Sequence, residues 1–369
     1  MSIDRRKLLK AGLAVSAAAA LPNVASAEAG FAPQPKAWRN FQVLTRLEIV
    51  KVDGKSQAWI PVPAVNEPDW FRSLGSAWTS NGRAALVPET KYGADMLHVE
   101  WAGGERSPVI EVTSRIATRD RSIDLAKPGR AAALSAAERD LDTQGTALIP
   151  VDGIVKQTSD QIVAHANAKT DIEKARAIYE WIVDNTFRDA AVRGCGIGDI
   201  AAMLRTGNLG GKCADLNALY VGLARAAGVP ARDVYGIRIA PSRFGYKSLG
   251  ANAEGISKAQ HCRSEVYLAG FGWVPVDAAD VRKVVLEEPP TNLGVDDPKV
   301  VAVRKALFGS WETNWLAYNF AHDVALPGSD GAKLAFFMYP QGEIAGMRLD
   351  CLDSENFKYT ITAKELAAT

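Results

Sequence analysis

Residues 208–220 read NLGGKCADLNALY and place a single cysteine, Cys213, after a glycine pair and at the start of an apolar-periodic segment. Apolar side chains recur at helical spacing, and Gly228 and Pro230 end the pattern. Cys213 is therefore expected in the first turn of a helix, where unpaired backbone N–H groups and the positive end of the helix dipole favour an anion. A thiolate is such an anion, and its pKa falls in this position.

A cysteine beside an apolar helix is more often a small core residue, so this segment alone does not define a site. A hairpin further along the chain adds the other groups. Residues 260–268 and 272–277 read as two strands joined by a glycine-containing turn. By the period-2 rule, His261 and Asp277 fall on one face of this hairpin. A cysteine, a histidine and an acid are the parts of a thiol nucleophile, its base and an orienting group.

These segments together resemble the transglutaminase-like superfamily of papain-like thiol enzymes. The residues that carry the resemblance are Gly211-x-Cys213-x-Asp215, the sequence ARAAGVPAR at 224–232, His261, and GWVPVD at 272–277. The likeness covers about residues 155–285. It implies an α+β fold, with a papain-like or transglutaminase-like catalytic core of N-terminal helices plus an antiparallel sheet.

The resemblance also implies a catalytic triad of Cys213, His261 and Asp277 that works through a thioacyl-enzyme. The backbone N–H of Cys213 is expected to donate one hydrogen bond to the oxyanion. Asn208 and Trp181 are the candidates for the second donor. No cofactor and no metal are expected, because the four histidines show no metal-ligand spacing with the cysteines.

The first functional hypothesis is a cysteine-dependent amide or peptide hydrolase, because hydrolysis needs only access for water. Protein-glutamine transglutaminase, in which an amine accepts the acyl group, is the alternative. A non-catalytic binding module of the same fold is the third, although the intact set of cysteine, histidine and acid argues against it. The expected substrate is a peptide, a protein or a small amide, and the oligomeric state stays open.

An export signal is predicted for residues 1–27. Arg5 and Arg6 precede an apolar run at 11–21, and Ala-Ser-Ala at 25–27 offers a cleavage site near Ala27. The paired arginines resemble a twin-arginine signal, which predicts a periplasmic mature protein. The apolar run is shorter than the roughly 20 residues that cross a bilayer, and no other stretch is long and apolar enough, so no membrane span is expected after signal removal.

The rest of the chain is long enough for two domains. The net charge of +1, with no basic stripe beyond the N-terminus, gives no electrostatic case for nucleic acid. Segments 158–161 and 170–173 both look like capping boxes that start helices, and the polar loop at 241–260 is expected to border the cleft. The predicted units are a β-sandwich domain at 38–125, a connector at 126–156, the catalytic core at 157–295 and a C-terminal α/β extension packed on the core at 296–369.

Three cysteines besides Cys213 would allow at most one disulfide and one free thiol in an oxidising compartment. They are Cys195, Cys262 and Cys351. The sequence does not assign the pairing. A bond between Cys195 and Cys351 would tie the C-terminal extension to the core.

Overall fold

A computed structural model describes residues 30–50 and 52–367 of the chain. The export signal predicted for residues 1–27 lies outside these described residues. The protein is of the predicted α+β class, with several antiparallel sheets. Its described helices are all too short or too polar to cross a bilayer. The helices are α1 (Ala136–Thr143), α2 (Gly153–His165), α3 (Asp171–Asn185), α4 (Ile200–Thr206), α5 (Cys213–Ala226), α6 (Ala278–Glu287) and α7 (Pro298–Ala306).

The strands of the described residues form three larger sheets and several two-stranded ones. The larger sheets have the orders β19-β1-β6-β3, β18-β17-β2-β5-β4 and β12-β11-β10-β14. The strands are β1 (Arg39–Ile49), β2 (Ser56–Val62), β3 (Phe71–Ser80), β4 (Arg83–Pro88), β5 (Asp95–Trp101), β6 (Val109–Thr118), β7 (Arg121–Ser122), β8 (Phe187–Arg188), β9 (Gly210–Gly211), β10 (Ala231–Arg238), β11 (Gln260–Leu268), β12 (Gly272–Val276), β13 (Ser310–Trp311), β14 (Trp315–Asn319), β15 (His322–Val324), β16 (Leu334–Phe336), β17 (Gln341–Ile344), β18 (Met347–Arg348) and β19 (Phe357–Leu366).

The first two sheets form the β-sandwich that the sequence predicts. Leu47 of β1, Ile110 of β6 and Phe357 of β19 come from one sheet. Ile60 of β2 and Leu97 of β5 come from the other, and all five side chains share one buried cluster. Alternate residues of two facing sheets therefore fill a single core, as in other sandwiches.

The chain after residue 296 differs from the predicted extension on the core. Strand β19 pairs along the whole of β1, and β17 pairs with β2, so both complete the N-terminal sandwich. Strand β14 instead pairs with β10 in the sheet of the core. Unpaired edge strands expose rows of N–H and C=O groups. The late strands cover such edges in three different sheets, which no local pattern in the sequence reveals.

Helix α5 is buried along its entire length and packs against β11, with α2, α3 and α6 around it. The capping box predicted at α3 is confirmed: the Glu173 N–H donates to Thr170 Oγ1 and the Thr170 N–H to Glu173 Oε2. The box predicted at 158–161 is wrong. These residues lie inside α2, where the Thr158 hydroxyl donates to the Ile154 carbonyl one turn earlier at 2.8 Å.

Gly236 of β10 lies opposite His261 of β11 in the core sheet. A Cβ added at Gly236 would lie 2.1 Å from the Leu316 carbonyl oxygen and 2.4 Å from the Trp315 ring. Only glycine therefore allows β14 and the buried Trp315 side chain to approach β10 at the position opposite the histidine.

We expect Gly236→Ala to lower the free energy of unfolding by about 1–3 kcal/mol, because the added methyl group overpacks this contact. Urea denaturation monitored by tryptophan fluorescence measures the change. The control is Gly255→Ala, at an exposed position where an added Cβ has no neighbour within 4 Å. Equal stability of the two variants would show that β14 does not approach Gly236 in this way.

Candidate active site

One carboxylate organises the turn before the predicted nucleophile. Asp215 Oδ2 accepts a hydrogen bond from the Lys212 N–H, and its Oδ1 accepts from the N–H groups of Ile197 and Gly198, all at 2.9 Å. A Cβ on Gly196 would lie 1.8 Å from Asp215 Oδ2, and its φ of +96° also favours glycine. The glycine-rich loop is thus fixed around the start of α5.

Cys213 is the first residue of α5, as the sequence predicts. The next N–H in the helix, that of Ala214, donates to the Cys195 carbonyl at 2.9 Å. Cys213 lines a cavity of about 560 Å³, and His261 lines the same cavity. The helix start therefore brings the thiol and the imidazole to one cleft.

The structure also brings His261 and Asp277 together. His261 Nε2 lies 2.8 Å from Asp277 Oδ2, with both side chains buried. Strand β12 ends at Val276, and Asp277 caps α6 instead of continuing the strand. Its Oδ1 accepts hydrogen bonds from the Asp280 N–H at 3.0 Å and from Asn217 Nδ2 at 3.2 Å. A helix cap and α5 together orient this carboxylate.

Asp280 is a part of the site that sequence reasoning missed, together with α6. Its Oδ1 lies 3.4 Å from His261 Nε2 and 2.5 Å from Arg238 Nη2. Arg263 Nε lies 3.5 Å from Asp277 Oδ2. The sequence does contain a signal for α6. Asp277 is followed by apolar residues at helical spacing, which is typical of a capped helix start.

These neighbours favour the imidazolium. Burial and the Arg238 guanidinium lower the pKa of His261, but the carboxylates of Asp280 and Asp277 outweigh them and raise it to about 9. Burial alone would raise the pKa of Asp280, but the Arg238 guanidinium and the imidazolium hold it well below its usual range. The histidine is therefore mostly charged at neutral pH.

Three thiols lie close together, those of Cys213, Cys195 and Cys262, and the first two of them line the cavity. Hydrogen bonds from Cys195 and Cys262, together with His261, hold the pKa of Cys213 well below its usual range against the effect of burial. The pKa values of the other two thiols are raised well above theirs. Cys213 is thus the one that ionises, as expected beside an imidazolium. The disulfide suggested between Cys195 and Cys351 is not present, because all four cysteines are free thiols.

The cluster around His261 also resembles a set of metal ligands. His261, Asp277 and Asp280 each offer an atom within 4.8 Å of the others. However, each carboxylate already faces a guanidinium, Asp280 that of Arg238 and Asp277 that of Arg263. These two cations supply the positive charge that a bound metal ion would otherwise bring.

The two predicted candidates for the second oxyanion donor lie elsewhere. Asn208 is exposed, and its Oδ1 accepts a hydrogen bond from the Gly210 N–H at 3.1 Å. Trp181 lies on α3 and packs against the hydrophobic core. Neither residue lines the cavity that contains Cys213. A local turn and core packing account for them, so both assignments are wrong in this structure.

Segments from distant parts of the chain build the walls of the cavity. The polar loop at 241–260 borders it through residues 250–260, as the sequence predicts. Tyr339 and Tyr359, which come from the C-terminal part of the chain, also line it. The late strands therefore shape the cleft as well as the sandwich.

The fold and this arrangement define a papain-like class of α+β protein, with a helix-borne thiol facing a histidine on a sheet. The model of the transglutaminase-like superfamily matches residues 156–278. An uncharacterised protein from Haemophilus influenzae is 39% identical over 329 residues, which cover 85% of this chain and 87% of that protein. This chain belongs to the transglutaminase-like superfamily, whose members are generally cysteine-dependent enzymes.

A solved structure from Cytophaga hutchinsonii, described as a candidate cysteine protease, shares the fold. It superimposes with a TM-score of 0.51, covering 90% of this chain and 99% of that one, at 14% sequence identity. The likeness concerns the architecture, including the β-rich part that precedes the core.

We expect Asp280→Asn to slow alkylation of Cys213 by iodoacetamide below pH 8. Loss of this carboxylate lowers the pKa of His261, so less imidazolium is present to stabilise the thiolate. The wild-type rate should change less than about threefold between roughly pH 6 and 8, because the thiol is already ionised. The alkylation rate of the variant should fall about tenfold for each unit by which the pH is lowered, as for an ordinary thiol with a pKa of about 8.5. Mass spectrometry of the peptide containing Cys213 gives the rates.

The control is Asp160→Asn on the exposed face of α2, which should keep the wild-type profile. Near-ultraviolet circular dichroism checks that both variants are folded. Superimposable profiles for Asp280→Asn and the wild type would contradict the role assigned to this carboxylate.

Proposed function

We propose that this protein is a periplasmic cysteine-dependent amide or peptide hydrolase that acts through a thioacyl-enzyme. Cys213 is the nucleophile, His261 the general acid and base, and Asp277 the orienting group. One observation carries the proposal. A thiol at a helix N-terminus shares a cavity with an imidazole that a buried carboxylate holds at 2.8 Å.

Acylation follows from the charges in the cavity. The Cys213 thiolate attacks the carbonyl carbon of the amide, and a C–S bond forms. His261 then gives its proton to the leaving nitrogen as the C–N bond breaks. The bond from Nε2 to Asp277 leaves Nδ1 as the ring nitrogen that faces the thiol. The amine leaves neutral, and the enzyme carries a thioester and a neutral imidazole.

Deacylation uses the same groups in reverse. The neutral His261 takes a proton from water, whose oxygen attacks the thioester carbonyl. The C–S bond breaks, and the thiolate and the imidazolium are restored together. The Cys213 N–H at the start of α5 donates to the developing oxyanion in both steps. The catalytic cycle therefore begins and ends with the ion pair that the buried carboxylates favour.

The rim of the cavity supports hydrolysis over amine transfer. Asn252, Lys258 and Ser354 line the cavity and are exposed to solvent. Water therefore reaches the thioester, whereas efficient transfer to an amine requires that water be excluded. Transfer to an amine and non-catalytic binding are the two competing outcomes of the tests below.

A thiol-reactive acyl probe should label the wild-type protein at Cys213 and leave Cys213→Ala unlabelled. Asp277→Asn should lower the rate of labelling and the kcat on a cleaved amide by roughly 10²–10⁴-fold, because the imidazole loses its orienting partner. Asp330→Asn, at an exposed site, is the matched control and should keep wild-type rates. A folded wild-type protein that the probe does not label would favour a binding module.

Mass spectrometry of a glutaminyl peptide, with and without added amine, separates hydrolysis from transfer. We expect the acid product under both conditions. Conversion of the peptide to its amine adduct, at the expense of the acid, would identify an amine acyltransferase instead.

Export is testable through the paired arginines at the N-terminus. We expect the double substitution Arg5→Lys and Arg6→Lys to retain the precursor in the cytoplasm, because a twin-arginine signal depends on this pair. Cell fractionation and N-terminal sequencing of the mature protein measure the result. Lys10→Arg is the control. Normal export of the double variant, with cleavage near Ala27, would indicate an ordinary secretory signal.

A further inference from the structure

The cavity that contains Cys213 is lined by positive charge. Among the described residues that line it, none is an aspartate or a glutamate. Its volume of about 560 Å³ lies in the usual range for ligand sites. Six lining residues carry a cationic side chain: Arg188, Arg193, Lys212, Arg238, Lys258 and Lys283.

The buried charges around the histidine balance one another. Arg238 pairs with Asp280 at 2.5 Å, and His261 pairs with Asp277 at 2.8 Å. The remaining buried guanidinium of the cluster, that of Arg263, carries one positive charge. The Cys213 thiolate carries one negative charge that balances it. This inner cluster is therefore neutral and does not cancel the charge of the other five lining cations.

Three of those five cations share two carboxylates that lie outside the cavity lining. Arg193 pairs with Asp350 at 2.6 Å, and Arg188 pairs with Glu287. Lys283 Nζ is 3.7 Å from the same Glu287. The pKa of Lys283 is lowered, by burial first and then by nearby Arg238. Both effects would be relieved by an anion in the cavity.

The other two cations, Lys212 and Lys258, form no ion pair with any residue that the structure describes. Lys212 directly precedes the nucleophile, beside Gly211, which pairs with Arg188. Lys258 follows Ser257, whose hydroxyl accepts a hydrogen bond from β19 at 2.7 Å. The two lysines therefore sit on different segments, both fixed by neighbouring strands.

We propose that the cavity takes an acidic peptide: an acyl donor with carboxylates close to the amide that Cys213 attacks. Unpaired cations around a concave site focus the field and select anionic ligands. The chemical step of this inference rests on the proposed function, whereas the binding step does not. An acidic peptide brings the negative charge that the lining lacks.

Iodoacetate and iodoacetamide together test the electrostatic potential at the Cys213 sulfur, because the first carries a negative carboxylate where the second carries a neutral amide. The measurement is the rate at which each reagent alkylates Cys213. Mass spectrometry of the peptide that contains Cys213 gives this rate separately from any alkylation of Cys195 or Cys351. We expect the ratio of the iodoacetate rate to the iodoacetamide rate to exceed that of free cysteine at least about tenfold. The excess should shrink in salt above roughly 0.5 M.

The variants Lys212→Gln and Lys258→Gln should each lower this ratio about two- to threefold, which corresponds to one charge roughly 8 Å away in a water-like medium. The double variant should lower it by the product of the two. Lys333→Gln, an exposed lysine outside the cavity, is the matched control and should leave the ratio unchanged.

The outcomes separate the two proposals. Rapid alkylation of Cys213 by iodoacetamide, with no preference for iodoacetate and no response to the lysine variants, overturns the acidic peptide and leaves the hydrolase standing. Slow alkylation by both reagents, as for a buried neutral thiol, overturns the hydrolase itself.

Peptide binding is a second test, and it does not depend on the acylation step. The full-length Cys213→Ala variant is titrated with an acetylated pentapeptide carrying two glutamates, and with the same peptide carrying glutamines instead. We expect the acidic peptide to bind at least about tenfold more tightly, and Lys212→Gln with Lys258→Gln to remove most of the difference. Equal affinities for the two peptides would refute the inference.

Discussion

The contact between the His261 imidazole and the Asp277 carboxylate is the interaction on which the rest of the site depends. Two buried charges are costly unless other groups compensate them. Here Arg238 and Asp280 form a second buried pair beside the first, 3.4 Å from the imidazole. Arg263 approaches Asp277 from the sheet. Because each charge has an opposite neighbour, the cluster keeps an imidazolium in the interior, and that imidazolium in turn favours a thiolate.

The part of the chain beyond the matched superfamily core completes this cluster. Trp315 Nε1 donates to the His261 carbonyl at 3.1 Å, and its ring lies 4.8 Å from the Arg263 guanidinium. Arg263 Nη1 also donates to the Glu312 carbonyl at 2.9 Å. Gly236 makes room for this approach. The strand β14 is therefore a structural support of the core sheet, and its aromatic residues are buried in the hydrophobic core.

Local patterns predict the helix start at Cys213 and the strand with His261, because glycines, helical spacing and alternation are properties of neighbouring residues. They do not predict that Asp280 belongs to the site. Residues 272–277 are interpreted as a strand, and the helix that begins at the next residue is therefore not recognised. They also miss the pairing of β19 with β1, since hydrogen bonds between the two ends of the chain leave no periodic trace. The wrong oxyanion candidates share this origin: the side chains near the sulfur come from distant segments.

Net charge is a poor guide to what this cavity accepts, for a geometrical reason. The chain as a whole carries +1, which gives no electrostatic case for nucleic acid and no hint of a charged cavity. Yet Glu287 and Asp350 lie outside the cavity lining, behind the arginines that they neutralise, and the described lining residues include six arginines and lysines but no carboxylate. Such an arrangement leaves the total near zero while the field inside the cleft stays positive. The chemistry of the ligand is therefore set by where each carboxylate lies relative to the cavity wall, and not by how many the sequence contains.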